Sequence, residues 1–183
     1  KIADKIILVR VKKNLIIFFP LGFFSGLPLL LTSATLGTWL ADVGINKTTI
    51  GLFALVGIPY SLKFLWASLL DTNIKISILK KLGRRKSWII LFQVLICINI
   101  FTMAKIDPAT QTFTMAVFAI TLAIFSASQD IAIDAWRIEI NEENELGLGA
   151  ALYVTGYRIA LLIAGAGALI IADIYSWELS FII

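Results

Sequence analysis

The chain of 183 residues contains no histidine and only one cysteine, Cys97. A single cysteine excludes a disulfide within the chain. A zinc site built from cysteine and histidine cannot be assembled either. Without histidine, any proton chemistry must use carboxylates. We therefore expect no metal site and no cofactor.

Charged residues are also scarce, at 15% of the chain, whereas apolar residues make up 59% and the mean hydropathy is +0.91. Soluble domains have about 45–50% apolar and about 25% charged residues. The composition therefore predicts an integral membrane protein in contact with membrane lipid. The net charge of +4 does not indicate a nucleic-acid partner, because most lysines and arginines lie in two segments beside apolar runs.

Long apolar runs divide the chain into membrane spans, since a helix of about 20 residues crosses a bilayer. We predict an all-α bundle with five full spans and the start of a sixth. A basic cytoplasmic lead-in covers residues 1–14, and the transmembrane bundle covers residues 15–183. The spans are expected at about residues 15–40, 49–70, 87–104, 112–136, 147–172 and, incomplete, 178–183.

Basic residues are distributed unequally between the two sides of the predicted membrane. Five lie in the lead-in and six between the second and third spans, against only Lys47 and Lys105 on the opposite side. Because cytoplasmic loops carry the excess of lysine and arginine, the N-terminus is predicted to be cytoplasmic. A solvated acidic loop is expected after the fourth span, with Glu139, Glu142, Glu143 and Glu145.

Two carboxylates lie inside the fourth predicted span, in the stretch FSASQDIAIDAWR at residues 125–137. Asp130 and Asp134 are four residues apart, so they share one face of a helix. A carboxylate is costly in lipid and persists where it faces protein, water or a partner charge. We predict that the pair forms a proton-coupling or ion-pair site.

Two basic residues in other spans are candidate partners for these carboxylates. At ~1.5 Å per residue, Asp130 and Lys63 lie roughly 10 Å from the cytoplasmic ends of their spans, and Arg158 lies roughly 16 Å from the end of its span. We predict one network of Asp130, Asp134, Lys63 and Arg158. A static brace and a network that changes its pairing during transport both fit this pattern, and Lys63 could instead extend to the membrane interface.

Five stretches of the sequence follow one another in an order found in a known family. They are SGLPLLLTSATLGTWL (25–40), TIGLFALVGIPYSLKFLWASLLD (49–71), GRRKSW (83–88), SASQDIAIDAW (126–136) and GAALYVTGYRIALLIAGAGAL (149–169). The most specific is SASQDIAIDAW, because two acids and a glutamine rarely occur together in a membrane span. The five stretches resemble the N-terminal half of the AmpG muropeptide permeases, a branch of the major facilitator superfamily related to acetyl-CoA transporters. The resemblance implies the N-terminal six-helix half of a secondary transporter and not an enzyme.

The resemblance implies proton-driven import of anhydromuropeptides, the products of cell-wall turnover, across the bacterial inner membrane. The expected partners are a muropeptide-like solute, protons and a C-terminal transporter half, on the same chain or a separate one. The resemblance also implies a set of substrate-binding residues, and the first and fourth spans line the cavity in the superfamily. The substrate-binding residues would be Gln129, Tyr60, Tyr157, Ser25 and Thr32.

A gating loop between the second and third spans is also implied by the resemblance. Its residues would be Asp71, Gly83, Arg84 and Arg85. Eleven residues separate Asp71 from Gly83, which is wider than the general superfamily pattern although it fits this branch.

Length is the main departure from the family, since such permeases have about twelve spans. The chain is therefore expected to be a fragment, one product of a split gene or a degenerate half that acts as a non-transporting scaffold. A transporter of another anionic solute, such as an acyl-CoA-type compound, is a further alternative. An intramembrane aspartyl hydrolase is disfavoured, because both acids lie on one helix.

Overall fold

A computed structural model describes residues 13–72 and 82–183, with side chains from residue 15 onward. Within these ranges the chain is helical and contains no strand, which confirms the predicted all-α class. Five helices are long and apolar enough to cross a membrane, and a short helix, α6 (Trp177–Ile182), follows them. The five are α1 (Phe18–Asp42), α2 (Lys47–Leu65), α3 (Arg84–Lys105), α4 (Thr112–Ile140) and α5 (Glu143–Ile174).

Two of the predicted segments fall largely outside the described residues. The lead-in at residues 1–14 is described only for the backbone of its last two residues. Residues 73–81 of the loop between α2 and α3 are not described either. The described remainder of that loop consists of residues 66–72, with a 3-10 helix at Ala67–Asp71, and residues 82–83.

The helices extend further at their charged ends than the apolar runs indicate. Helix α3 already begins at Arg84, and α4 continues to Ile140. Gly83, with φ of +85°, precedes α3 in a backbone conformation that favours glycine. An apolar run marks the part of a helix that lies in lipid and not the end of the helix. Charged terminal turns that continue the helix therefore resemble loops in the sequence.

Helix α1 is interrupted at Ser33, where the backbone (φ −118°, ψ −99°) leaves the helical region. Pro28, five residues before the interruption, has no N–H to donate within the helix. The hydroxyls of Thr32 and Ser33 donate to carbonyl oxygens one turn earlier, at 2.8 and 2.6 Å. These bonds satisfy backbone groups that a bilayer cannot hydrate.

Helix α5 widens into a single π-helical turn at Ile163–Gly167. Such a turn shifts the hydrogen-bond ladder by one residue and leaves a carbonyl group without its usual donor. Thr35 of α1 supplies the donor, since its Oγ1 lies 2.6 Å from the carbonyl oxygen of Ala164, in a buried contact. The interruption of α1 and the widening of α5 therefore lie beside each other and are joined by this bond.

We expect Thr35→Val to lower the unfolding temperature in detergent. The carbonyl of Ala164 would remain buried without a donor, and a bond of this kind contributes about 1–2 kcal/mol within a membrane bundle. Thr38→Val is the matched control, because the exposed Thr38 hydroxyl donates to Ala34 of its own helix at 2.9 Å. Equal temperature shifts in the two variants, measured by tryptophan fluorescence, would contradict this role of Thr35.

Helices α1 and α5 approach each other to backbone contact. A Cβ atom on Gly156 would lie 2.0 Å from the carbonyl oxygen of Phe19, and one on Gly22 would lie 2.0 Å from that of Tyr153. Both distances are far below van der Waals contact, so only glycine fits at these positions. Small residues of this kind are what allow transmembrane helices to pack closely.

Helix α4 occupies the interior of the bundle and packs against α1, α2 and α3. Small residues along its length are completely buried, which leaves room for the neighbouring helices. These residues are Ala119, Ala123, Ser126, Ala127 and Ala132. The acidic stretch predicted from the sequence therefore lies in the centre of the described structure.

Candidate functional site

Asp130 lies inside the bundle and is held by hydroxyl groups from two neighbouring helices. The residue is only 9% exposed. Ser25 of α1 donates its hydroxyl to Oδ1 of Asp130. The Tyr153 hydroxyl of α5 lies 2.9 Å from Ser25 Oγ and 3.4 Å from the same carboxylate oxygen. One carboxylate oxygen therefore joins α1, α4 and α5.

The close contact of α1 with α5 explains why these side chains meet. Ser25 lies between Gly22 and Gly26, which both face the backbone of α5 near Tyr153 and Tyr157. Because the two backbones touch, a side chain as short as serine reaches both the tyrosine hydroxyl and the carboxylate. The glycines therefore determine the geometry of the site by allowing the two helices to approach, although they contribute no side chain to it.

The two predicted basic partners differ in their positions relative to Asp130. Lys63 of α2 is half-buried and interacts electrostatically with the Asp130 carboxylate. Arg158 is exposed on α5. Neither forms an ion pair within 4 Å in the part of the chain that the structure describes. An arginine on an exposed face of a membrane helix requires water or further protein beside it.

Asp134 has a different partner from Asp130. Its carboxylate forms an ion pair of 3.0 Å with Arg137, one turn later on α4, and its side chain is 43% exposed. The four residues predicted as one network are therefore separated. Asp130 and Lys63 interact in the interior, Asp134 pairs with Arg137, and Arg158 is exposed without an ion pair among the described residues. Their role in proton coupling stays a prediction.

A second group of hydroxyls lies beside Asp130 on the side of α2. The Tyr60 hydroxyl is buried near the hydroxyls of Ser126 and Thr32, without meeting hydrogen-bond geometry to either. Ser126 Oγ is also buried and has no partner among the described residues. Buried polar atoms normally have a hydrogen-bond partner. Groups of this kind can bind water or the hydroxyls of a polar solute.

The remaining predicted substrate-binding residues do not share one surface. Gln129 is completely buried, and its Nε2 donates to Oε1 of Gln93 at 2.7 Å, on α3. Tyr157 is half-buried on α5, with its ring 6.3 Å from that of Tyr153. In this structure Gln129 joins α3 to α4, whereas Tyr157 lies near Asp130. Contact of either residue with a substrate stays a prediction.

The four residues predicted as a gating loop come together at the junction of α2, α3 and α4. Arg85 forms ion pairs of 2.8 Å with both Asp71 and Glu139. Arg84 pairs with Glu139 at 3.2 Å and donates to the carbonyl oxygen of Asp71 at 3.1 Å. Gly83 supplies the turn into α3. Glu139 was expected in a solvated loop, but it lies on the last turn of α4 and links both arginines.

We expect Glu139→Gln to lower the unfolding temperature, because the loss of its charge weakens two ion pairs at once. Exposed pairs contribute up to about 1 kcal/mol each, and Arg85 is the less exposed of the two arginines. Glu143→Gln is the matched control, since Glu143 is exposed and forms no ion pair with any described residue. An unfolding scan at low and high salt should show a shift for Glu139→Gln only, and salt should reduce it. Identical behaviour of the two variants would contradict the role of Glu139 in linking Arg84 and Arg85.

Sequence reasoning missed three residues that contribute to these sites. Tyr153, Arg137 and Glu139 contact Asp130, Asp134 and the two loop arginines, respectively. A signal was available for two of them. Arg137 follows Asp134 by three residues, and Tyr153 precedes Tyr157 by four, so each pair shares a helical face. No comparable pattern in the sequence links Glu139 to α3.

Five helices long and apolar enough to cross a membrane, with a buried carboxylate on the fourth, define a multi-pass α-helical membrane protein. Residues 14–175 match the family model described as Acetyl-coenzyme A transporter 1, and the chain belongs to this family. The resemblance to the AmpG branch and to acetyl-CoA transporters is thereby confirmed, because relatives with these names match most of the chain.

Three relatives illustrate the similarity. An uncharacterized protein of Haemophilus influenzae is 46% identical over 171 residues, which are 93% of this chain and 39% of that protein. The Anhydromuropeptide permease of Escherichia coli K12 is 44% identical over 84% of this chain and 30% of the permease. A Rickettsia felis protein named AmpG 4 is 40% identical over 90% of this chain and 40% of its own length. The chain thus spans between about a third and two fifths of the length of these relatives.

Proposed function

We propose that the chain is the N-terminal six-helix half of a secondary transporter of the major facilitator superfamily. In that superfamily each half contains six spans, built as two related groups of three. The observation that carries the proposal is the buried Asp130, bound by hydroxyls from α1 and α5 and attracted by Lys63 of α2. A carboxylate in the interior of a membrane bundle typically belongs to a proton or solute path.

The transported solute that fits best is an anhydromuropeptide, which carries sugar hydroxyls and anionic groups. The name of the Escherichia coli relative supports this choice. The hydroxyls of Tyr60 and Tyr157 would bind the sugar, and the charges of Lys63 and Arg158 would bind the anionic groups. We propose import across the bacterial inner membrane, with the N-terminus in the cytoplasm.

Protonation of Asp130 would couple proton uptake to binding of the solute. The ionised carboxylate accepts the Ser25 hydroxyl of α1, lies 3.4 Å from the Tyr153 hydroxyl of α5 and attracts the ammonium group of Lys63. A proton removes this negative charge, and Lys63 then becomes available to an anionic group of the solute. Asp134 would contribute less directly, because it is already paired with Arg137.

Uptake of radiolabelled anhydromuropeptide tests this function. Cells that lack their own permease would express the complete reading frame that encodes this chain, with the Escherichia coli permease as positive control. We expect accumulation above the empty-vector level that disappears when a protonophore collapses the proton gradient. A well-inserted protein that gives no accumulation would contradict the proposal and favour a non-transporting scaffold.

An acyl-CoA-type compound is the second candidate solute, because the family model that matches the chain is described as Acetyl-coenzyme A transporter 1. Its phosphates would use the same two basic residues. Parallel uptake assays with labelled acetyl-CoA and with labelled anhydromuropeptide distinguish the candidates. Uptake of acetyl-CoA without uptake of the muropeptide would exclude the muropeptide.

A further inference from the structure

The two oxygens of the Asp130 carboxylate have different surroundings. Oδ1 accepts the Ser25 hydroxyl and lies 3.4 Å from the Tyr153 hydroxyl. No described residue forms a hydrogen bond to Oδ2. The residue as a whole is 9% exposed. The two oxygens are therefore not equivalent as sites for a proton.

The direction of the hydrogen bonds follows from the number of protons available. Each hydroxyl has one proton to donate. The Ser25 proton is used on Asp130, so in its contact with Tyr153 the Ser25 oxygen must accept. The tyrosine proton accordingly points to Ser25 at 2.9 Å, and a directed chain runs from Tyr153 through Ser25 to Oδ1. Hydrogen bonds in such a chain polarise and strengthen one another.

We propose that Tyr153 is a positioning residue which, through Ser25, holds Oδ1 of Asp130 as a hydrogen-bond acceptor and leaves Oδ2 as the oxygen that takes up and releases the proton. The inference rests on the proposed proton coupling, and it adds Tyr153 as a positioning residue and Oδ2 of Asp130 as the atom that binds the proton. A proton from water adds to Oδ2 and returns to water on release. Throughout this cycle Oδ1 continues to accept the hydrogen bond from Ser25.

Groups from four helices surround this carboxylate and are part of its electrostatic environment. Helix α2 contributes Lys63 and Tyr60, and α5 contributes Tyr157 in addition to Tyr153. Helix α4 contributes Asp134, and α1 contributes Ser25. Among them, only Ser25 and Tyr153 are within hydrogen-bond distance of the carboxylate. These two are therefore the residues that can fix its orientation.

Infrared spectroscopy of the purified protein in acidic buffer tests which oxygen carries the proton. When the proton is on Oδ2, the carbonyl bond of the acid ends at Oδ1, and its stretching frequency reports the hydrogen bond from Ser25. The band is assigned to Asp130 by its loss in Asp130→Asn. We expect Ser25→Ala to move the band to higher frequency and Tyr153→Phe to move it by a smaller amount in the same direction.

The control in this experiment is Tyr175→Phe, which removes an exposed hydroxyl from the turn after α5 and should leave the band in place. A band that stays in place in both Ser25→Ala and Tyr153→Phe would overturn the proposal, because the carbonyl oxygen would then not be Oδ1. This result does not depend on which solute is transported. The spectroscopy therefore decides the inference even if every solute tested fails.

Transport measurements separate positioning from a structural role. In proteoliposomes, Tyr153→Phe should reduce uphill accumulation by about fivefold, because a hydrogen bond between neutral groups, here from Tyr153 to Ser25, is worth roughly that factor. Solute counterflow, which needs no net proton movement, should remain within about twofold of wild type. An equal loss of accumulation and counterflow would show that Tyr153 only supports the fold, and the proposal would be withdrawn.

Discussion

Asp130→Asn is expected to abolish uphill accumulation of the solute and to spare its exchange across the membrane. Asparagine has nearly the same shape and still accepts the Ser25 hydroxyl, but it cannot ionise or take up a proton at neutral pH. Accumulation should therefore fall to background, because an intramembrane acid on the proton path cannot be replaced by a group that does not ionise. Uptake into energised cells and counterflow in proteoliposomes measure the two activities.

Two further aspartates provide comparisons for this result. Asp173→Asn changes an exposed residue near the end of α5 and should behave as wild type. Asp134→Asn should give an intermediate loss, because that carboxylate is half-exposed and paired with Arg137. If Asp130→Asn accumulates solute as well as Asp173→Asn does, Asp130 has a structural role only. Complete loss of accumulation in Asp134→Asn, together with normal accumulation in Asp130→Asn, would show that Asp134 and not Asp130 carries the proton.

Gly156→Ala is expected to have the largest effect on folding. The new Cβ would lie 2.0 Å from the carbonyl oxygen of Phe19, and this atom belongs to a helix backbone that cannot rotate away. Overpacking of a well-packed interior costs typically 1–3 kcal/mol, and a backbone clash lies at or above about 3 kcal/mol. Helices α1 and α5 would separate, and Ser25 would lose its contact with Tyr153.

Gly147→Ala is the matched control, because no atom lies within 4 Å of a Cβ at that position on the same helix. The fraction of monodisperse protein after detergent extraction and the unfolding temperature measure both variants. We expect Gly156→Ala to aggregate or unfold at a much lower temperature and Gly147→Ala to match wild type. Equal stability of the two variants would mean that α1 and α5 are not in backbone contact.

The helical class and the position of two acids on one helix could be predicted because their signals are local in the sequence. Apolar runs define the membrane spans, and the spacing of Asp130 and Asp134 places both on one face of α4. In both cases a pattern within a few residues carries the information. The loop residues Asp71, Arg84 and Arg85 also meet in the structure, although eleven residues separate Asp71 from Gly83, and their gating role stays a prediction.

The partners across helices could not be predicted in the same way. Nothing in the sequence indicates that Gln129 faces Gln93 of α3 instead of a cavity, since both arrangements satisfy an amide in the membrane interior. Glu139 was assigned to a solvated loop because its distance from Arg84 along the chain hides their proximity. The contact of Tyr153 with Asp130 depends on how closely the glycines let α1 approach α5. Such distances follow from packing and not from spacing along one helix.

Proton movement induced by the solute tests the central claim most directly. Vesicles that contain the complete protein would be suspended in weakly buffered medium, and the external pH would be recorded as anhydromuropeptide is added. The account predicts that the medium becomes alkaline with wild-type protein, because each solute entering takes a proton with it, and that Asp130→Asn abolishes the signal. Entry of the solute with no change of pH in the wild type would contradict it.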